Sequence, residues 1–290
     1  MEHPSGRYIG PVTAGVSGGV GKTALGAALV RARESERPDR LFDDRLAEAF
    51  VAAAPHSFDR EQRAAARSAD QSGPGARFAL AVIVRTRFFD DYLLTATGAG
   101  IGQVVLLAAG LDSRAYRLDW PAGTAVYELD RPDVLAFKQR VVNDQNATAR
   151  CRRVSLGTDL RTTWAAALRK RGLRDDRPIA WLAEGLLIYL SPTEAAALLI
   201  TVRELSVPGS QLAFEWHPDA TRAIQAGTRR LPGMAEYTTL WKGGLPDAPG
   251  WLAEHGWDTE LHDRASLAAR YKRASSTNPL TGTFLTAVRT

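Results

Sequence analysis

From Gln103 onward the chain alternates short apolar runs with helical segments, and this alternation limits its fold more than any other feature. Gln103–Ala109, Thr124–Asp130, Pro178–Glu184 and Gln211–Trp216 are runs of strand length, and Arg152–Leu156 fits a strand among them. Runs this short and this apolar suit strands buried on both faces of a parallel sheet. Between them, Pro132–Asn143 and Thr162–Arg171 have helical composition. Ser191-Pro192-Thr193-Glu194 starts another helix, with a capping hydroxyl, Pro at the first helical position and Glu three residues after the cap. Trp257–Leu261 and Thr283–Val288 are candidate final strands. The expectation is an α/β fold: a mostly parallel, seven-stranded, doubly wound sheet with helices on both faces. Ligands bind such sheets outside the carboxyl ends of the strands. The candidates are therefore the residues just after the strands: Gly110 and Asp112, Asp130, Asp159, Glu184 and His217.

The first hundred residues read differently. Thr23–Arg37, Asp43–Ala54 and Phe78–Thr97 are helical stretches, stopped by Pro38, by Pro55 and by Gly98, Gly100 and Gly102. We divide the chain into a helical N-terminal extension over 1–100, covering the active site, and a core over 101–290. A lid insertion is expected at about 218–250, where Met234, Tyr237 and Trp241 lie among glycines. The lone cysteine, Cys151, excludes an internal disulfide and a cysteine-built zinc site, and no metal is expected. The net charge of +5 is spread along the chain with no basic block carrying interleaved aromatics, so no nucleic-acid partner is expected. No apolar run reaches the ~18 residues of a membrane span. The N-terminus lacks the apolar segment of a signal peptide, which makes a cytoplasmic location the expectation.

Ser17-Gly-Gly-Val-Gly-Lys-Thr23 looks like a phosphate loop. That loop needs Gly where this chain has Val16, and it follows a buried strand, whereas Arg7–Val16 contains Pro11 and few apolar residues. We read the segment as a Gly-rich lead into the first helix, with a phosphate-loop ATPase as the alternative.

Val104–Leu118 carries the chemistry. A strand delivers the chain to a tight turn at Gly110, and Asp112 is placed to cap the helix that follows. The turn lacks the Gly-x-Gly-x-x-Gly that an NAD(P)-dependent oxidoreductase, the other alternative, uses to hold a pyrophosphate. Asp130 ends the next strand. An acid there accepts hydrogen bonds from both hydroxyls of a ribose, or caps the helix opened by Arg131-Pro132, and the two roles are compatible. Glu128 alternates with Asp130 on the same face and is an additional candidate for the role.

Taken together, Val84–Arg87, Leu107–Arg114, Tyr127–Pro132 with Lys138, Asp159-Leu160 and Ala183–Leu190 resemble the leucine carboxyl methyltransferase family. The similarity is to its bacterial branch of S-adenosyl-L-methionine-dependent O-methyltransferases, and it runs from about Gly19 to about Trp216. The resemblance implies a Rossmann-like class I methyltransferase with S-adenosylmethionine as cofactor. It places Arg85 on the cofactor carboxylate, Ala108 and Gly110 beside the methionine part, and Asp130 on the ribose. Asp159 and Leu160 would flank the adenine, and Glu184 would meet the methionine ammonium. An acid in an apolar strand end is costly unless paired, so a cationic ligand group or an arginine must answer Glu184. The family usually has Gly at the position of Ala108 and Thr at that of Ser113.

Methyl transfer is an in-line displacement in which the enzyme orients the reactants and excludes water. A carboxylate acceptor needs no base, whereas a hydroxyl is helped by one. His217 is the candidate base, and Tyr189 is a second candidate at the acceptor pocket. The expected acceptor is a small molecule, with a role in secondary metabolism. The sequence leaves its identity and the oligomeric state open.

Overall fold

A computed structural model describes residues 19–55, 74–218, 240–274 and 280–290. Met234 and Tyr237, on which the lid expectation rests, lie outside the described residues. The elements, labelled in chain order among the described residues, are α1 (Gly19–Glu36), α2 (Arg45–Ala52), α3 (Pro74–Gly98), β1 (Gln103–Leu107), α4 (Arg114–Arg117), β2 (Ala125–Asp130), α5 (Pro132–Asp144), β3 (Arg152–Gly157), α6 (Ala165–Lys170), β4 (Ala180–Ala183), α7 (Pro192–Glu204), β5 (Gln211–Trp216), α8 (Ala248–Glu254), β6 (Trp257–Asp263), α9 (Arg264–Arg270) and β7 (Thr283–Arg289). They form one seven-stranded sheet in the order β3-β2-β1-β4-β5-β7-β6. The first five strands run parallel. β7 inserts antiparallel between β5 and β6.

Strand periodicity explains the apolar runs. Val105, Leu107, Tyr127, Leu129, Trp181 and Phe214 face a core completed by α6, α7 and α8. Val104, Leu106, Val126, Ala180, Leu182 and Ala213 face the opposite core, completed by α3 and α9. With both faces covered, neither set of alternating side chains is free to be polar. α3 lies within the segment read as an extension, yet it covers one face of the sheet through Val84, Phe88, Phe89 and Leu93. α1 and α2 instead share an apolar cluster with α5, built on Leu25, Ala28, Phe50, Phe137 and Val141. The capping box of α7 forms as expected: Ser191 Oγ accepts from the Glu194 N–H, and the Glu194 carboxylate accepts from the Ser191 N–H at 2.8 Å.

Three differences from the sequence reading have physical causes. β1 stops at Leu107 rather than running to Ala109, because Ala108 takes a left-handed backbone (φ 56°) that no strand continues. Gly19–Thr23 is the first turn of α1 rather than a loop, and among the described residues every strand follows it in sequence. Glu128 does not share the role of Asp130. It is fully buried, paired with Lys138 Nζ at 2.8 Å and with Arg153 Nη2 at 2.7 Å beneath α5, away from the carboxyl edge. Among the described residues no helix is long and apolar enough to cross a membrane.

Candidate functional site

A cavity of about 380 Å³ opens at the carboxyl edge. Its walls are the turn after β1, the ends of β2 and β4, the loop after β3, and the face of α1 that carries Thr23, Ala24, Ala27 and Arg31. Arg85, Ala108, Gly110, Asp130, Asp159, Leu160, Glu184 and Tyr189 all line it. The topology brings them together because β1 and β4 are neighbours whose following turns diverge at this point, the crevice where an open α/β sheet holds ligands.

The turn after β1 is shaped by two left-handed residues, Ala108 (φ 56°) and Gly110 (φ 48°). Gly110 N–H donates to Asp130 Oδ2 and Arg131 N–H donates to Asp130 Oδ1, both at 2.6 Å. Burial pushes the Asp130 carboxyl above its ordinary range, and these two N–H donors oppose the shift. Each carboxylate oxygen keeps a further lone pair for a ligand. The N-cap of α4 is Ser113, and Asp112, one residue before it, satisfies the first helical amide: its Oδ1 accepts from the Arg114 N–H at 2.7 Å, and its other oxygen pairs with the Arg114 guanidinium. Burial pushes the Asp112 carboxyl up, but Arg114, Lys138 and the N–H donor outweigh it and hold it at about 2.

The charged centre of the cavity is the pair Arg85 and Glu184. Arg85 Nε lies 2.8 Å from Glu184 Oε1, and Arg85 Nη1 donates to Glu215 Oε2 at 3.2 Å. Glu184 Oε2 lies 2.7 Å from Arg114 Nη1. Neither Glu184 Oε2 nor Arg85 Nε has an aligned hydrogen-bond partner among the described residues, so these contacts are Coulombic and leave directional capacity unused. Behind them Arg114 Nε and Arg117 Nη1 donate to Asp90 at 2.7 and 2.6 Å. At the far end the Asp159 carboxylate is gripped by Arg161 at 2.6–3.2 Å, which holds it at about 2. Leu160 is half-buried beside it. Tyr189 closes the 3-10 turn Leu187–Tyr189.

His217 does not line this cavity. It borders a small separate cleft with Leu187, Phe214 and Gly244, its ring stacked on Trp241 with centroids 6.3 Å apart. Its Nε2 lies 3.9 Å from Glu215 Oε1. Burial, with the charges of Arg264 and Arg85, lowers its pKa to about 4 against the pull of Glu215, so the ring is neutral near pH 7. The candidate base thus lies outside the cavity that gathers the other candidates.

Sequence reasoning passed over Glu215, Arg114 and Asp90. Glu215 carried the same signal as Glu184, an acid in an otherwise apolar strand, and Arg114 stood in the quoted turn motif. Asp90 carried none, since one acid on a long helix marks nothing by itself.

An ammonium answers the unaligned oxygen of Glu184, a carboxylate suits the Arg85 guanidinium, and a vicinal diol suits the outer lone pairs of Asp130. One nucleoside with an amino-acid end carries all three groups, and the donors and acceptors present fit S-adenosylmethionine.

Comparison with known proteins agrees. The profile of the family described as leucine carboxyl methyltransferase matches residues 24–203. A relative from Parafrankia sp. (strain EAN1pec) is 48% identical over 276 residues, covering 94% of this chain and 88% of its own. One from Frankia alni is 49% identical over 280 residues, covering 94% and 96%. One from Streptomyces coelicolor is 42% identical over 266 residues, covering 90% and 91%. All three carry the provisional name of S-adenosyl-L-methionine-dependent methyltransferase. Among solved structures, a DUF574 family protein from Streptomyces avermitilis superposes with a TM-score of 0.57 at 13% identity, covering 91% of this chain and 97% of that one. A protein from Thermobifida fusca, provisionally described as a methyltransferase, gives 0.55 at 19% identity, covering 84% and 93%. These two share the fold. The chain therefore belongs to the leucine carboxyl methyltransferase family and is an S-adenosylmethionine-dependent methyltransferase.

Proposed function

We propose that the enzyme methylates an oxygen of a small molecule, with a carboxylate favoured over a hydroxyl, in secondary metabolism. The observation that carries this reading is the single cavity shared by the Gly110 turn, Asp130, Arg85 and Glu184. Asp130 holds the ribose hydroxyls, with its orientation fixed by the Gly110 and Arg131 N–H groups. Arg85 takes the cofactor carboxylate and Glu184 its ammonium, so that their mutual ion pair is exchanged for two pairs to the ligand. Asp159 accepts from the adenine amine on a lone pair not used by Arg161, and Leu160 packs on the ring. When bound, the cofactor supplies a sulfonium methyl whose leaving group is neutral.

The chain's own contribution is orientation and exclusion of water. Leu186, Tyr189 and Leu190 line the cavity after Glu184 in the chain, the Lys242 N–H donates to Ile188 O at 2.9 Å beside them, and we assign the acceptor to this part of the wall. Lys242 favours an anionic acceptor there, although its ammonium also pairs with Glu194 Oε2 at 3.1 Å. A carboxylate is already ionised and needs no base, which agrees with the position of His217 outside the cavity. For a hydroxyl acceptor Tyr189 is the group in place. The α1 face closes one side of the site in this reading.

A labelled-methyl transfer assay against small carboxylic acids and their hydroxyl analogues tests the proposal. The expected result is label in a base-labile ester. Label found only in alkali-stable ethers would move the acceptor to a hydroxyl.

A further inference from the structure

Arg85 is one link in an alternating row of buried and partly buried charges: Arg264, Glu215, Arg85, Glu184 and Arg114. Arg264 opens α9, Glu215 sits near the end of β5, Arg85 comes from α3 and Glu184 follows β4. Three of these elements meet at Glu215. Its carboxylate takes Arg85 Nη1 on one oxygen and the Arg264 guanidinium on the other. Its side chain is 9% exposed and that of Arg264 6%, so the contact is largely dry. Gly185, in a left-handed conformation (φ 63°), passes its bare α-carbon beside the same pair: a Cβ there would lie 3.5 Å from Arg85 Nη1 and 3.6 Å from Glu215 Oε2.

We propose that Glu215 is a positioning residue for the amino-acid end of the cofactor, acting through Arg85. The inference rests on the reading of Arg85 as the carboxylate partner given above. Arg85 has one carboxylate partner in the cavity wall, Glu184, and one behind it, Glu215. Admitting a zwitterion separates Arg85 from Glu184. A buried guanidinium that lost its sole counter-ion at that moment would be strongly disfavoured. Glu215 remains on Nη1 throughout, which keeps the charge paired and fixes the plane in which the fork meets a carboxylate. Glu184 is backed in the same way by Arg114. One internal ion pair thus opens to take in a ligand of zero net charge, and every charged group retains a partner. Arg264 balances the second oxygen of Glu215 and does not enter the cavity lining.

The test compares two ligands by titration calorimetry: S-adenosylmethionine, and 5′-methylthioadenosine, a nucleoside thioether without the amino-acid group. Glu215→Gln keeps the size of the side chain and removes the charge. We expect it to weaken S-adenosylmethionine about tenfold or more and methylthioadenosine less than about twofold. The double variant Glu215→Gln/Arg264→Gln removes one charge of each sign and leaves Arg85 paired with Glu184 in the free enzyme, so it carries the reading if the single variant does not fold. The same split is expected of it. A merely structural role would weaken both ligands together, and that result, or unchanged or tighter S-adenosylmethionine binding, overturns the inference. Arg85→Gln separates the two levels. If it leaves S-adenosylmethionine binding intact, the reading of Arg85 fails. If it weakens binding and the Glu215 variants do not, only the positioning role of Glu215 fails.

Discussion

The backbone N–H of Gly110 donates to Asp130 Oδ2 at 2.6 Å, tying the turn after β1 to the acid that ends β2. The hydrogen bond joins the two sequence features that pointed to a nucleoside site, and it makes them one unit: the acid is aimed by the turn that shapes the cavity floor. Asp130→Ala removes a charge-assisted acceptor worth about 1.5–3 kcal/mol. Calorimetry should therefore show S-adenosylmethionine binding weakened about tenfold to a hundredfold. An unchanged dissociation constant would remove Asp130 from the site.

Ala108 occupies a backbone conformation that suits glycine (φ 56°). The left-handed region costs a non-glycine residue about 1–2 kcal/mol, and glycine gives back about 0.4–1 kcal/mol through the greater freedom of the unfolded chain. Ala108→Gly should then stabilise the protein by up to about 1 kcal/mol, raising the thermal midpoint by roughly 2–4 °C. The variant should bind cofactor at least as well, since the methyl beside the cavity is gone. A lowered midpoint would show that the turn carries no such strain.

Lys138, Glu128 and Arg153 form a buried charge cluster under α5, with the first two fully buried. Lys138→Met should cost about 1–3 kcal/mol in urea unfolding, because Glu128 loses one of its two partners where water cannot replace it and keeps Arg153 alone. Cofactor affinity per folded molecule should change little, since this cluster is not part of the cavity wall. A loss of affinity without a loss of stability would return Glu128 to the site.

His217 and Glu215 set a pH dependence of stability. The His217 pKa falls from 6.5 to about 4 on folding, chiefly through burial. The unfolded chain therefore takes up this proton first. The contribution is complete above pH 6.5 and is lost as pH falls toward 4. Glu215 is held at about 2 against an ordinary 4.5: burial raises it, and Arg85 and Arg264 outweigh burial. Its contribution is present above pH 4.5 and is lost as pH falls toward 2. His217→Gln should flatten the urea midpoint between pH 6.5 and 4 and leave the steeper limb below 4.5. A slope unchanged between 6.5 and 4 would show that the imidazole is not held neutral.

Much of this architecture was legible because two-face burial forces apolar runs. β1, β2, β4 and β5 were readable on that ground; β3, half-exposed, was placed by its spacing between them, and the helix start at Ser191 by its cap chemistry. The helix expected after Asp112 is present as α4, a single turn. α8 and α9 each begin at an aspartate cap, Asp247 and Asp263, too short for a helical stripe. At the site, the strand-end rule placed Asp130, Asp159 and Glu184 on one cavity but failed at His217. The rule gives the end of a strand and not the side of the wall on which the chain leaves it. Glu128 failed for a related reason: alternation puts it on the face of Asp130, while α5 lies over it.

The most direct test of the central claim is a crystal structure with S-adenosylhomocysteine, the reaction product that keeps the ribose and the amino-acid end. The account predicts the ribose hydroxyls on Asp130, with the carboxylate on Arg85 and the ammonium on Glu184, whose mutual contact has opened. A ligand seated elsewhere, or Arg85 and Glu184 still closed on each other beneath a bound nucleoside, would contradict it.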